Sequence, residues 1–368
     1  MKIKSLILLG PALLLASTLF AQLPAAGTSG APTLERTVAQ APMTDKEVIS
    51  ELKKDGAAQL QKDLDKRGVA FEMDADIEKR LRKAKATDEV IKAVTAAGPK
   101  EKANAAKAAA QATGAVLISP EESADFKALQ TELDPDKAIA LTEAFVQKHP
   151  KSEVLSYAFA FEANAYEMKS AAAKTDSEMK SAAAKIVEFG EKSVDLKKDN
   201  LMGLLIVTSV MPTPQYISLH QADEEKILTQ AEAYAHDALT VIDNLKKQAN
   251  ESDADFAKRK VTYQADIHSD LGMIHLQRAQ EGLMGLDKDE LAKSEKEYRL
   301  AVSNTDHPDA SSYYRLGEDC RLQGKFDDAI AAFTKAGELG QGMVKQFAAQ
   351  QIELVKKLKA QAAAPAPK

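Results

Sequence analysis

The stretch Tyr313-Tyr-Arg-Leu-Gly-Glu-Asp-Cys320, followed by Ala329-Ile-Ala-Ala-Phe333-Thr-Lys-Ala336, decides the fold class. Apolar and small residues recur in both segments at helical spacing, which predicts two amphipathic helices. Gly324, between them, predicts a tight turn. The two helices are therefore expected to pack as an antiparallel hairpin, with small side chains where they cross. The residues expected to pack in this hairpin are Tyr313, Leu316, Gly317, Cys320, Ala329, Phe333 and Ala336.

The spacing of these residues resembles the tetratricopeptide repeat. Tyr313-x2-Leu316-Gly317-x2-Cys320 and Ala329-x3-Phe333-x2-Ala336 agree with that family's pattern at every interval. The departures are Tyr313 for Trp, Cys320 for Tyr, and Gln341 where a closing Pro is expected. The resemblance implies an all-α fold, a TPR-like solenoid of helical hairpins, whose first helices line a groove that in this family often binds peptides. In this hairpin the candidate partner-groove residues are Tyr314, Arg315 and Glu318.

Weaker copies of the pattern precede this hairpin, and they predict a repeat array over 123–361. The first helix of the copy before it contains Leu271 and Gly272. The distances between successive repeat ends mostly exceed the 34 residues of the family, which leaves two interpretations: longer helices and insertions, or misaligned early copies. A capping helix is expected to end the array, before a disordered tail over 362–368. The residues proposed for the last motif position of the successive repeats are Phe145, Ser193, Ala238, Ala301 and Ala336.

The sequence of the N-terminal part indicates an export signal and a separate helical module. Residues 1–21 have a basic start, an apolar run and a small residue at a cleavage position, which is typical of a signal peptide; the alternative is a retained anchor. Residues 22–42 are predicted to be a flexible linker, and 99–122 an Ala/Lys-rich linker. Between them, 43–98 is predicted to form four short helices, with capping residues Thr44, Asp74 and Thr87 at three of their starts. This module resembles a small all-helical module of multidomain bacterial envelope proteins, which implies packing or interaction without assigned chemistry.

Composition limits the possible functions. The chain has 368 residues, one Cys, no Trp and a net charge of −6. A single Cys excludes an internal disulfide framework and a zinc site that needs two thiolates. The negative charge argues against a general nucleic-acid binder, which requires a basic face. After signal cleavage no apolar run is long enough for an integral membrane segment.

The sequence contains no convincing catalytic, cofactor or metal site. Phosphate-loop, zinc-protease and nucleophile-elbow motifs are absent. His268 and His275 lie seven residues apart on one helix face, but without an ordered carboxylate neighbour they are better explained by packing. Cys320 occupies a repeat-packing position and is expected to be a small buried hydrophobe.

An exact duplication, Glu167-Met-Lys-Ser-Ala-Ala-Ala-Lys174 and Glu178-Met-Lys-Ser-Ala-Ala-Ala-Lys185, has an offset close to three helical turns. Met168 and Met179 are therefore expected to lie on nearly the same helix face. The two interpretations are an insertion that lengthens the helices or their turn, and an exposed methionine ridge for a partner.

These observations predict a non-enzymatic, exported scaffold that binds a protein or peptide in the periplasm or cell envelope, or after secretion. The alternatives are an accessory factor in outer-membrane or envelope-polymer assembly, and an enzyme with an unrecognised site.

Overall fold

A computed structural model of the chain describes residues 42–98, 118–248, 251–280, 285–303 and 308–363. Within these ranges the protein is all-helical, with 16 α-helices and no named strand. The described residues form two compact units, one within 42–132 and 140–158, the other within 133–139 and 159–363. This division lies inside the range predicted as one array. The predicted signal peptide and most of both predicted linkers lie outside the described residues.

The first unit begins with the four predicted short helices. They are α1 (Asp45–Lys54), α2 (Gly56–Arg67), α3 (Ala75–Lys83) and α4 (Asp88–Ala96). The three predicted caps are confirmed, because the side chains of Thr44, Asp74 and Thr87 each accept a backbone N–H from the first turn of their helix. Before α1, the N–H of Met43 donates to the carbonyl of Gly68 at 3.0 Å, which joins the start of the module to the end of α2.

Two further helices follow, α5 (Pro120–Thr131) and α6 (Pro135–Lys148), and the residues of α6 up to Ile139 are assigned to the second unit. Helix α5 begins within the predicted linker, because Ser119 and Glu122 form a capping box around Pro120. Phe126 packs against Phe145 with ring centroids 5.7 Å apart.

The remaining helices lie in the second unit, apart from the start of α7. They are α7 (Leu155–Ala172), α8 (Asp176–Leu196), α9 (Leu201–Val210), α10 (Pro214–Ile217), α11 (Glu224–Asp243), α12 (Asp253–Gln280), α13 (Lys288–Ser303), α14 (Ala310–Leu322), α15 (Phe326–Leu339) and α16 (Gly342–Ala363). Consecutive helices pack on each other from α12 to α16, as a row of hairpins requires. None of the described helices combines the length and the apolar character needed to cross a bilayer.

The last two hairpins cross in the same way, with an aromatic ring lying directly on a glycine. A methyl group at Gly272 of α12 would come within 2.9 Å of the ring of Tyr298 on α13. At Gly317 of α14 it would come within 2.8 Å of Phe333 on α15. Contacts this short exclude any larger residue unless the helices move apart. Ser294 adds a hydrogen bond from its hydroxyl to the carbonyl of Gly272, at 2.8 Å.

The repeat-packing residues of the last hairpin occupy its core. Cys320, Ala329, Phe333 and Ala336 are all 0% exposed, and Leu316 is buried beside them. Tyr313 packs on this cluster from a partly exposed position. Helix α16 covers the end of the array through Val344, Ala348 and Val355, and extends into the predicted disordered tail as far as Ala363.

The duplicated octapeptide is divided between two helices. The first copy forms the end of α7, and the second lies within α8, after an interruption at Thr175. Thr175 caps α8 together with Glu178 of the second copy. The expectation that Met168 and Met179 share a face of one helix is therefore wrong, because the helix ends between them.

We predict that Gly317→Ala lowers the free energy of unfolding by roughly 1–3 kcal/mol, because the added methyl group overlaps the ring of Phe333. The matched control is Gly337→Ala in α15, whose methyl group would contact Ala348 at an ordinary 3.6 Å. That control is expected to be neutral or to stabilise by about 0.5–1 kcal/mol, because alanine is the better helix former. Urea unfolding followed by circular dichroism measures both. Equal effects at the two positions would contradict the crossing geometry.

Candidate functional site

The predicted groove residues of the last hairpin lie mostly inside the protein. Tyr314 is 0% exposed and meets Phe333 edge-on, with centroids 5.2 Å apart and an interplanar angle of 68°. Arg315 is buried and donates to Glu318 at 3.2 Å, so each neutralises the other. Tyr314 shares its cluster with Val344 and Val355 of α16, because the terminal helix also packs on α14. The prediction that Tyr314 and Arg315 line an open groove is therefore wrong, because both side chains are buried.

Cys320 lies beside two carboxylates, and these carboxylates already form ion pairs with basic side chains. Oxygen atoms of Glu295 and Asp328 lie within 4.8 Å of each other and of the Cys320 sulfur. Glu295 accepts from Lys325, and Arg299 bridges Glu295 and Asp328. Burial raises the pKa of Glu295, but hydrogen bonds from Lys325, Arg299 and Gln323 outweigh it and leave a net lowering. Burial raises the pKa of the Cys320 thiol to about 12, which makes it a poor ligand or nucleophile. This cluster is best described as an ion-pair network between α13 and the α14–α15 hairpin.

Each of the two histidines of α12 has a carboxylate partner on α13. His268 Nδ1 lies 2.7 Å from Glu297, and His275 Nδ1 lies 2.8 Å from Glu290. The interpretation that they lack an ordered carboxylate neighbour is therefore wrong. The two pairs are two helical turns apart, too far to share one ion. They join the two helices of a hairpin and do not form a common centre.

The second unit contains a row of carboxyl groups that the sequence did not single out. Glu167 of α7 is 2% exposed, and neither of its carboxylate oxygens has a hydrogen-bond partner. Burial, followed by the charge of Asp270, raises the pKa of Glu167 to about 8. Asp270 of α12 is also buried; burial and then Asp266 raise its pKa well above the usual range, and the hydroxyl of Thr208 on α9 offsets part of this rise.

Two further carboxyl groups, Asp266 and Asp309, belong to the same set of acids. Both are partly exposed, whereas Asp270 and Glu167 are buried. Burial, with the charge of Asp309 second, raises the pKa of Asp266 to about 7. Asp309 caps α14 by accepting the N–H of Ser312 at 2.9 Å, and its own pKa is raised by burial. We refer to Glu167, Asp270, Asp266 and Asp309 as the carboxyl row.

An alignment of the two C-terminal repeats could have identified two of these acids from the sequence. When Gly272 is aligned with Gly317, Asp270 takes the place of Arg315, and Asp266 takes the place of Ser311. Arg315 was one of the residues predicted to face a groove. The same register therefore places two acids on the corresponding face of α12. The Thr175-x-x-Glu178 capping box marks the second copy as a helix start, but no local pattern predicts the burial of Glu167, which depends on the tertiary fold.

Comparison with known proteins finds no match among family models, curated proteins or solved structures. The tetratricopeptide resemblance therefore depends on the spacing of the residues alone.

We predict that Cys320 reacts with a maleimide dye only when the protein unfolds. The thiol is buried and its pKa is about 12, so little reactive thiolate is present at neutral pH. Because the chain has one Cys, the labelled fraction reports this site directly. Labelling in urea provides the fully reactive control. Complete labelling of the folded protein within the time of that control would contradict this environment.

We predict that the second unit is more stable at pH 5.5 than at pH 8.5. The pKa of Glu167 rises from 4.5 to about 8 on folding, so its protonated form favours the folded state. This contribution is complete below pH 4.5 and is lost as pH rises through about 8. Glu167→Gln, which mimics the protonated acid, is expected to raise the melting temperature at pH 8.5 and to reduce its pH dependence.

The matched control is Glu178→Gln in the second copy of the octapeptide. Hydrogen bonds from Lys174 and Thr175 lower the pKa of Glu178, and the side chain is exposed. Glu178→Gln should therefore leave the melting temperature at pH 8.5 unchanged or lower it slightly. Scanning calorimetry at both pH values measures the difference. Equal behaviour of the two variants would contradict the buried state of Glu167.

Proposed function

We propose that this protein is a non-enzymatic, TPR-like scaffold that binds another protein in the bacterial cell envelope. The observation that carries the proposal is the repeated crossing of α12 with α13 and of α14 with α15, each with an aromatic ring on a glycine. Repeats of this kind bury a common core and vary the residues on their exposed faces, which suits them to binding. The envelope location is supported by the signal-peptide pattern of residues 1–21.

The chemistry of the described side chains agrees with a binding role. The cluster around Cys320 is neutralised by Lys325 and Arg299, and the histidines of α12 are paired across a hairpin. These groups contribute to packing and ion pairing between helices. The part of α12 that carries the exposed Thr262 and the partly exposed Asp266 is the candidate binding surface.

We predict that a photo-crosslinking amino acid at Thr262 captures a specific protein partner in cells. Thr262 is exposed and lies one turn before Asp266, so it samples the candidate surface without removing a member of the carboxyl row. The control position is Lys296 on α13, whose side chain is 75% exposed. Mass spectrometry of the crosslinked products identifies what each position contacts. A Thr262 profile that does not differ from the Lys296 profile would contradict the proposed function.

A further inference from the structure

One face of α1 presents lysine side chains to solvent. Lys46, Ser50, Lys53 and Lys54 are exposed, and Ile49 is partly exposed among them. These residues line an open depression with a volume of about 490 Å³. Because they recur at helical spacing, they form one stripe along the helix. We refer to these five residues as the lysine stripe.

The acids of α1 are engaged elsewhere in the module. Asp45 is paired with Arg80 of α3, and Glu47 with Arg67 of α2 at 3.2 Å. Glu51 lies one turn after Glu47, on the same side of the helix. Positive charge therefore predominates on the lysine stripe.

The lysines of the stripe form no ion pair within the part of the chain that the structure describes. The helix dipole accounts for Lys53 and Lys54, because they lie in the last turn, where positive charge is favoured. It does not account for Lys46, which lies in the first turn, where negative charge is favoured. An anionic ligand would bring opposite charge to both ends of the stripe.

The spacing of the lysines sets the length of a ligand that contacts both ends. Lys46 and Lys53 are seven residues apart, which corresponds to about 10 Å along an α-helix. Three residues of an extended peptide span about the same distance. Carboxylates at positions i and i+3 of an extended segment therefore match the two ammonium groups, with an apolar side chain between them for Ile49. The hydroxyl of Ser50 is available to the peptide backbone.

A short acidic segment fits this surface better than a lipid bilayer does. Residues 42–98 contain twelve acidic and twelve basic side chains, so an extended anionic surface would meet repulsion as well as attraction. Electrostatic docking on a bilayer uses clusters of about four to eight basic residues, and the stripe has three. A peptide needs to contact α1 alone.

We propose that the lysine stripe of α1 binds a short acidic segment of a protein partner. This inference rests on the proposed function, in which the chain binds a protein, and adds a second surface with a defined chemistry. Carboxylates of the partner pair with Lys46 and Lys53, and an apolar side chain contacts Ile49. Lys54 adds positive charge at the C-terminal end of the helix.

The test uses the full chain and a fluorescein-labelled peptide, Gly-Glu-Leu-Ser-Glu-Gly, with a second peptide in which lysine replaces each glutamate. Fluorescence anisotropy at pH 7.5 and low ionic strength is expected to show saturable binding of the glutamate peptide alone. The double variant Lys46→Gln, Lys53→Gln is expected to weaken this binding at least about ten-fold, because both contacts with the carboxylates are lost.

The matched control is the double variant Lys62→Gln, Lys79→Gln, which removes two exposed lysines from α2 and α3. It changes the net charge by the same amount and should change the affinity less than about two-fold. All four substituted positions are exposed and glutamine is a good helix former, so both double variants are expected to fold. Circular dichroism checks this.

Two comparisons decide the proposal. Saturable binding that is lost in the Lys46 and Lys53 double variant and kept in the control supports it. No saturable binding, or an equal loss in both double variants, overturns it. Sedimentation with phosphatidylglycerol vesicles tests a membrane as the ligand: retention of the chain that depends on Lys46 and Lys53 overturns the assignment to a peptide, and the absence of such retention supports it.

The proposed function fails separately from this inference. A specific partner captured through Thr262, combined with no binding of the glutamate peptide, leaves the scaffold role standing and overturns the acidic ligand of α1. Binding of the glutamate peptide through Lys46 and Lys53, with no specific partner captured at Thr262, supports the α1 surface and contradicts the binding surface on α12.

Discussion

The close approach of an aromatic ring to a glycine backbone sets the spacing of the last two hairpins. Tyr298 lies on Gly272, and Phe333 lies on Gly317, at distances that leave no room for a side chain. Once the axes are held this close, the neighbouring positions must also be small, which explains the buried Ala301 and Ala336. The same contact fixes the rotation of each first helix about its axis. It therefore decides which residues of α12 and α14 face their partner helix and which face away from it.

Much of this arrangement follows from local sequence. The capping residues Thr44, Asp74 and Thr87 mark helix starts because each satisfies a backbone N–H that the helix cannot. The packing residues of α14 and α15 follow from spacing, since helical periodicity determines which side chains share a face. These features need no information about distant parts of the chain.

The features that sequence reasoning missed depend on contacts between distant residues. Tyr314 is buried because α16 packs on α14, and the sequence around Tyr314 does not predict that contact. The partners of His268 and His275 lie on the following helix, in an order that becomes clear only when α12 and α13 run antiparallel. Glu167 is the clearest case, because an identical octapeptide follows eleven residues later with a solvent-exposed glutamate.

The protonation of the buried acids gives the folded protein a different charge from the unfolded chain. The formal count of −6 assigns a full negative charge to every carboxyl group. Burial raises the pKa of Glu167 and of Asp319 to about 8, so both carry a proton over most of the neutral range. Unfolding releases these protons, because each group regains its ordinary pKa in water. In isoelectric focusing the native protein should therefore migrate to a higher pH than the same chain in urea, because the fold retains these protons.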